Sequence, residues 1–371
     1  MYIKSLSLSN YRNYQSLTLD LCQGTNIFYG NNGQGKTNVL EALFLCVIGK
    51  SFRYAKSGDL VLNGEDRFKV FISVAEDITE QIDISYTRKE EKIIRVNGLC
   101  LRKLGHLMGN LMAVIFSPED LQLVNEGPAV RRRMMDIAVS QIKASHYFNL
   151  LQYNKTLSQK NALLRNVNVN GKKSALDMID VYNEQLALSG AKIIARRKHF
   201  TQLLSQFAKE KHKEIAPKED LELFYQTDAL PEGFDSEKLE EIQGAFYEIL
   251  CQKKEKEIER MQSLVGIHRD DMELRLNGSD LKRFGSQGQK RTAVLSIKLA
   301  ELGILEKSTG RKPILLLDDV FSELDGLRQE SLLKSIANFQ TFITCTEVSE
   351  LPEELLKNAR CFFVNSGTVV L

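Results

Sequence analysis

Apolar and polar positions alternate along the first thirty residues. The stretches 3–8 (IKSLSL), 16–21 (SLTLDL) and 25–29 (TNIFY) each read as a strand. The period then changes. A polar loop, GNNGQGKTN, leads into VLEALFLCVIG, which is apolar almost all round and predicts a buried helix. Alternation returns at 68–76, 81–87 and 92–98, the last two forming a hairpin-like unit. The continuous apolar run LMAVIF at 111–116 predicts a strand buried on both faces. From about Ser117 to about Met261 the pattern is mostly helical, long and charged. Turn signals break it at 166–174 (NVNVNGKKS) and around 228–237 (DALPEGFDSE). Strand patterns reappear at 272–278, 313–319, 341–346 and 361–371, with helices between them.

This order predicts a split domain of α/β class. Residues 1–116 and 265–371 are expected to form one lobe from the two ends of the chain, and 117–264 an inserted, mainly helical lobe. The inserted helices lack apolar residues sustained at coiled-coil spacing, so no long coiled coil is expected.

Composition adds limits. The chain has 371 residues, 43% hydrophobic and 26% charged, an ordinary globular balance with room for two or three lobes. A net charge of +2 gives no global field for nucleic acid, so any such surface must be local. Arg131 to Lys213 supplies one, with sixteen Lys/Arg against five Asp/Glu. Its clusters are 131–133, Lys155 and Lys160, Lys172-Lys173, 196–198, and Lys209, Lys211 and Lys213. No helix-turn-helix or zinc-finger pattern accompanies them. Backbone and junction recognition of single- or double-stranded DNA is expected rather than base reading. The competing account is ordinary solvated helix faces, or ion pairs in the case of 131–133 and of His268-Arg269-Asp270-Asp271. Six cysteines show no CxxC and no ligand-like spacing, which suits reduced thiols of a cytoplasmic protein. The N-terminal stretch lacks the apolar core of a signal peptide, and no apolar run is long enough for a membrane span, so no membrane partner is expected.

The chemistry concentrates in three places. Gly30-Asn31-Asn32-Gly33-Gln34-Gly35-Lys36-Thr37 matches the phosphate loop GxxxxGK[ST] between a strand and a helix, and Asn38 follows it. The glycines let successive N–H groups converge on phosphate, Lys36 is placed for the β- and γ-phosphates, and the Thr37 hydroxyl for Mg2+. A chance lysine in a glycine-rich turn is the weaker account. Secondly, Ile314-Leu315-Leu316-Leu317 ends in two carboxylates. Asp318 is a candidate Mg2+ ligand and Asp319 a candidate for orienting the attacking water, although a helix cap also suits two aspartates. Thirdly, 285–291 (GSQGQKR) opens a clean helical pattern as an anion-seeking N-terminus would. It has no GK[ST] of its own and cannot be a second complete site.

That third stretch resembles the signature motif of ABC-type ATPases. The resemblance implies that Ser286, Gly288 and Gln289 complete the nucleotide site of a second, head-to-tail chain; a plain helix start with Ser286 as N-cap is the alternative. Ser322-Glu323-Leu324-Asp325 resembles the D-loop of the same class. FSPEDL at 116–121 stands where such folds link the nucleotide site to the second lobe. Gln122, Thr346 and Arg12 are weaker candidates for the nucleotide site, Arg12 being equally readable as a solvated strand charge. Over nearly its whole length the chain resembles the RecF family of bacterial recombination proteins, through NYRNY, GNNGQGKTNVLEAL, FSPEDL, EGPAVRRRMMD, GIHRDD, FGSQGQKR and LLLDDVFSELD. The resemblance implies an ABC-type head related to SMC proteins without their coiled coil. It further implies an ATP-dependent homodimer at DNA gaps or junctions, slow DNA-stimulated ATP hydrolysis, and work with RecO and RecR in loading RecA.

Three other readings compete with this one. A transporter-type ATPase usually carries its signature about a hundred residues after the phosphate loop, whereas about 250 separate Lys36 from Ser286 here. A small-molecule kinase has little use for a signature turn. A non-hydrolysing nucleotide-gated clamp remains open, because Asp319 is shorter than the glutamate usual at that place.

Overall fold

The computed structural model describes residues 1–75, 79–89, 92–166 and 172–370, with only the backbone of 172–175. Of the turn signal at 166–174 and the Lys172-Lys173 pair, residues 167–171 and the side chains of 172–175 lie outside what is described. The chain divides into two compact units. One is Met1–Leu121, Phe207–Asp220 and Ser286–Leu371; the other is Gln122–Gln206 and Leu221–Gly285. The sequence pattern put the returning boundary at Val265. Contacts put it at Ser286 and assign 207–220 to the first unit.

The first unit is built on two six-stranded sheets. One has the order Tyr14–Asp20, Tyr2–Tyr11, Arg67–Ala75, Glu80–Thr87, Ile93–Val96, Leu99–Cys100, with antiparallel neighbours throughout. Its strands bury alternate residues, Leu6 and Leu8 on one and Phe68, Val70, Ile72 and Val74 on another, as a one-faced sheet requires. The other runs Thr368–Val370, Arg360–Asn365, Thr25–Tyr29, Thr341–Cys345, Ile314–Asp318, Ala113–Phe116. Its inner pairs are parallel and its terminal hairpin antiparallel. Ile314–Asp318 and Thr341–Cys345 are buried at every position, which explains their unbroken apolar runs. Helix Lys36–Ile48 is buried along nearly its whole length, as its lack of a polar face predicts. It ends at Gly49, whose left-handed φ of 68° and close approach to Leu104 leave no room for a side chain.

In the second unit, helices Ser145–Arg165 and Leu239–Arg260 and the greater part of helix Lys172–Ile215 surround a core of Tyr153, Leu186, Ile193, Ile194, Phe246 and Leu250, and helix Pro128–Ile142 packs on helix Ser145–Arg165 and strand Asp271–Leu276. The 44-residue helix spans about 66 Å. Gly190 lies at a close approach on it, where a Cβ would come within 2.5 Å of Phe246. The sequence pattern missed one strand. Leu221–Gln226 pairs antiparallel with Asp271–Leu276 inside what read as helical lobe. Its alternation, with Leu221 and Leu223 buried and Glu222 less so, is the strand signal in this stretch.

A buried ionic cluster organises this unit. Arg197 is 2% exposed and grips both oxygens of Asp136 at 2.8 and 2.9 Å, and Asp270 Oδ2 at 2.8 Å. Asp270 also accepts from Thr227 Oγ1 at 2.6 Å and from the Tyr225 hydroxyl. Arg131 binds both oxygens of Asp271 at 2.7 and 2.8 Å, and Arg132 donates to the Asp270 carbonyl at 2.6 Å. The alternative account of 131–133 and 268–271, as ion-pair anchors, therefore holds for Arg131, Arg269, Asp270 and Asp271 within this unit, while Arg132 anchors through a backbone carbonyl.

Two outcomes are expected here. Arg197→Leu leaves two carboxylates buried without their partner and should cost about 3–5 kcal/mol in urea unfolding; Arg197→Lys should recover little, because an ammonium cannot span both aspartates. The second concerns His268, whose pKa burial lowers to about 4. The unfolded chain takes up this proton near pH 6.5 and the folded one only near 4, so the contribution is complete above 6.5 and lost as pH falls towards 4. Stability should drop by about 2 kcal/mol more between pH 7 and 5 in the natural chain than in His268→Gln. Equal drops would remove the histidine from the account.

Candidate functional site

The strand order brings the carboxyl ends of Thr25–Tyr29, Thr341–Cys345 and Ile314–Asp318 side by side. Register pairs Phe28 with Thr344 and Asp318 with Thr344. Such ends are where an open parallel sheet offers a ligand crevice. The phosphate loop leaves the first of them. Gly30, Gly33 and Gly35 have φ of 141°, 79° and 116°, conformations that side chains disfavour. At Gly30 a Cβ would lie 2.4 Å from the Val364 carbonyl oxygen, and at Gly35 2.5 Å from Asn13. Nothing lies within 4 Å of the corresponding point at Gly33, on the open side of the loop. Lys36 is buried, and its ammonium donates to the Gly30 and Asn31 carbonyls at 2.5 and 3.0 Å. The lysine is thus folded across its own loop. Asn32 and Gly33 are exposed.

Thr37, Asp318 and Thr344 meet at one oxygen. Asp318 Oδ1 accepts from Thr37 Oγ1 and from Thr344 Oγ1, both at 2.8 Å. Burial raises the pKa of this carboxyl above its ordinary value, against the two hydroxyl donors. Thr344 Oγ1 also accepts from the Asp319 N–H at 2.9 Å. Asp319 has a left-handed φ of 55°, and its buried Oδ1 has no hydrogen-bond partner. A hydroxyl and a carboxylate in contact suit Mg2+, which takes few protein oxygens and completes its shell with water and phosphate. Among the described residues no group of three or more His, Cys, Asp or Glu could hold a metal alone. The donor set therefore fits a metal that comes with phosphate.

The loop is braced by residues that the motif does not contain. Asn13 donates to the Gln34 carbonyl at 2.7 Å and accepts from Asn38 Nδ2 at 2.8 Å. The hairpin turn at Ser366-Gly367 holds Gln34 from the other side. Ser366 N–H donates to Gln34 Oε1 at 2.7 Å, and Gly367 N–H to Gln34 O at 3.2 Å. Arg12, the charged member of NYRNY, is placed differently. It forms a two-armed pair with buried Glu41, both contacts at 2.7 Å, and donates to the Asp59 carbonyl at 3.0 Å. Thr346 touches the loop through its carbonyl, which accepts from Gly30 N–H at 3.1 Å; its hydroxyl lies 3.4 Å from Glu350. Gln122 falls in helix Gln122–Asn125 of the other unit.

The signature-like turn starts helix Gln287–Thr309. Ser286 is its N-cap, in a reciprocal capping box with Gln289: Gln289 N–H donates to Ser286 Oγ at 3.2 Å, and Ser286 N–H to Gln289 Oε1 at 2.9 Å. The plain capping account is thus realised, and it leaves the other first-turn N–H groups available to an anion. Two arginines tie this helix to the D-loop-like stretch. Arg291 meets Glu323 at 2.6 Å. Arg328 donates to the Gly288 carbonyl at 2.9 Å and to Thr292 Oγ1 at 2.8 Å, and pairs with Asp325, the N-cap of helix Gly326–Ile336.

The basic footprint shrinks in the structure. Arg131, Arg132 and Arg197 belong to the buried cluster, and Lys160 pairs with Glu257 at 2.6 Å with both side chains fully buried. Lys198 pairs with Asp235, Lys209 and Lys213 with Asp220, and Lys211 with Glu214. Lys143, Lys155 and Arg165 stay on the surface.

A mixed sheet with a phosphate loop at its strand ends, the Asp318-Asp319 pair and the capped turn before the sheet helix define the class: an ABC-type P-loop ATPase head. The chain belongs to the RecF/RecN/SMC N terminal domain family, whose model matches residues 2–369, and within that family to the RecF proteins. It is 42% identical to the DNA replication and repair protein RecF of Clostridium perfringens (strain SM101 / Type A), over 100% of this chain and 99% of the relative. A solved structure of the recombination mediator protein RecF-ATP in the RecFOR pathway superposes with a TM-score of 0.91 at 38% identity, covering 100% of this chain and 97% of that one. A Smc head bound to the C-winged helix domain of ScpA shares the fold, with a TM-score of 0.56 at 15% identity over 100% of this chain and 96% of that one.

The loop geometry predicts a contrast. Gly30→Ala meets backbone at 2.4 Å, whereas Gly33→Ala meets nothing. Gly33→Ala should cost about 1 kcal/mol of left-handed strain, and Gly30→Ala about 2–4 kcal/mol. Equal urea midpoints would sink the close-approach account of Gly30.

Proposed function

We propose that this chain is an ATP-dependent DNA-binding clamp of recombinational repair and replication restart, working in the cytoplasm. The observation that carries the reading is the convergence of Thr37 and Thr344 on Asp318 Oδ1 at 2.8 Å, beside an Asp319 carboxyl oxygen without a partner. The names of the relatives, a DNA replication and repair protein and a RecF-ATP mediator of the RecFOR pathway, support it. In this reading the loop Gly30, Asn31, Asn32, Gly33, Gln34 and Gly35, closed by Asn38, cradles the phosphates of ATP through its N–H groups, those of Gly30 and Asn38 excepted because they donate to the Thr346 and Gly35 carbonyls, and through the side chain of Lys36. Lys36 exchanges its loop carbonyls for phosphate oxygens. Thr37 and Asp318 hold Mg2+, which when bound neutralises phosphate charge. Asp319 orients water. Arg12 acts through Glu41, setting the strand end that carries Asn13.

Ser286, Gly288 and Gln289 of a second copy close the site, so ATP joins two chains head to tail. Hydrolysis, slow and stimulated by DNA, removes the γ-phosphate and releases the pair. The inserted lobe meets single- and double-stranded DNA at gaps or junctions through its surface cations, and RecO and RecR join the clamp to load RecA. Among the described residues no helix is long and apolar enough to cross a membrane.

Sedimentation velocity of Asp319→Asn with ATP and Mg2+ tests it, with and without gapped duplex. The variant should shift to a dimer, and Asp319→Asn Ser286→Arg should not, while both bind nucleotide. A double variant that still dimerises would refute the two-chain site. Separately, Lys36→Arg keeps the charge but misplaces it, and should lower turnover at least about tenfold.

A further inference from the structure

Gln289 is held at both ends of its side chain. Its Oε1 accepts from Ser286 N–H at 2.9 Å, and its Nε2 donates to Glu219 Oε1 at 2.9 Å. The two ends of a glutamine amide have nearly the same shape, so its direction is set by its partners. An ionised carboxylate can only accept. Glu219 therefore selects the rotamer in which the NH2 faces it and the amide oxygen faces Ser286. Reversed, the amide would point a donor at the Ser286 N–H, and the capping box would open.

Glu219 is itself fixed. Its second oxygen lies 3.0 Å from Nε2 of His212, which is fully buried, and His212 Nδ1 lies 3.2 Å from Ser296 Oγ on the same helix as Gln289. Burial lowers the His212 pKa against the pull of Glu219, which favours the neutral ring donating Nε2–H to the carboxylate. The backbone sets the spacing. Pro217 stops helix Lys172–Ile215, Ala216 N–H returns to the His212 carbonyl at 2.7 Å, and Glu219 N–H to the Ala216 carbonyl at 3.0 Å. Asp220, next in the chain, is pinned by Lys209 at 2.8 Å. All these residues belong to the first unit, although the chain on either side of 207–220 belongs to the second.

We infer that Glu219, backed by His212, is a positioning residue for the signature turn: it sets the direction of the Gln289 amide and so presents Ser286 to the partner's nucleotide. The inference rests on the role given to that turn above, and deepens it by naming what orders the turn. No sequence motif marks Glu219, which lies 70 residues before Gln289.

The test uses the full chain with Glu219→Ala, Glu219→Gln, Gln289→Met and the Glu219→Ala Gln289→Met double variant. Two readouts are taken: amide hydrogen exchange at Ser286 and Gln289, and the ATP-dependent dimer constant by sedimentation in an Asp319→Asn background. Glu219→Ala should speed exchange and weaken the dimer, each about tenfold, as loss of one oriented hydrogen bond implies. Nucleotide affinity of the single chain should stay within about twofold, since Lys36 and Thr37 are untouched. Glu219→Gln keeps the size of the side chain, but the His212 Nε2–H claims its oxygen and its NH2 then faces Gln289, so it should leave both readouts impaired. The double variant should be no worse than either single one. Unchanged exchange in Glu219→Ala, full restoration by Glu219→Gln, or additive effects in the double variant would each overturn the inference. A parent that fails to dimerise with ATP sinks the two-chain reading instead, and hydrogen exchange still decides the role of Glu219.

Discussion

One carboxylate oxygen ties the candidate site together. Asp318 Oδ1 receives the hydroxyls of Thr37 and Thr344 at 2.8 Å, one from the start of helix Lys36–Ile48 and one from the neighbouring strand. Thr344 Oγ1 also accepts from the Asp319 N–H, and the carbonyl of Thr346, two residues on, accepts from Gly30 N–H. The phosphate loop, the acidic pair and the strand between them are therefore one connected object. Desolvation works against a charged Asp318, and the two hydroxyl donors offset part of that cost. An arriving cation would meet ligands already in contact, so little ordering remains to be done when it binds.

The phosphate loop was legible because its chemistry demands particular backbones. Positive φ at Gly30, Gly33 and Gly35 leaves a glycine spacing in the sequence that few other structures require. Asp318 was legible for a similar reason, since a charge that ends an all-apolar strand needs a function or a cap. The braces left no such trace. Asn13, Ser366, Gly367 and Thr344 are common residues whose role comes from contacts across the sheet. Their neighbours in space lie up to some 330 positions away in the chain. Reading NYRNY, the eye goes to the arginine. The structure gives the loop to Asn13 and ties Arg12 to Glu41.

The fold was legible where faces are simple. Every strand of the nucleotide-bearing sheet was marked by an apolar run or an alternation. The long helix was harder. Its buried side follows a repeat of four and three through Ile179, Asn183, Leu186, Gly190, Ile193, Arg197, Phe200 and Leu204. Three of those eight places carry Asn, Gly and Arg. Gly190 admits Phe246, and Arg197 carries the ionic cluster. Gly190 and Arg197 are buried for reasons other than hydrophobicity, so a count of apolar residues at coiled-coil spacing undercounts the seam.

The same substitution of roles governs the basic lobe. Sequence charge counts every lysine and arginine alike, but a guanidinium clamped between two buried aspartates contributes nothing to an outside field. Arg131, Arg132, Arg197 and Lys160 are in that position or close to it. The three arginines join helices to the sheet strand Asp271–Leu276 and to the turn before it, and Lys160 joins helix Ser145–Arg165 to helix Leu239–Arg260. What remains for a phosphate backbone is a smaller set, including Lys143, Lys155 and Arg165, which lie on the surface of helix Ser145–Arg165 and the turn preceding it. Fewer contacts mean a shallower salt dependence than sixteen cations would suggest, because each phosphate neutralised adds its own increment to the slope. A modest footprint per chain also makes doubling it matter. If two copies join on nucleotide, the phosphate contacts add on one duplex, and release of one copy removes half of them at once.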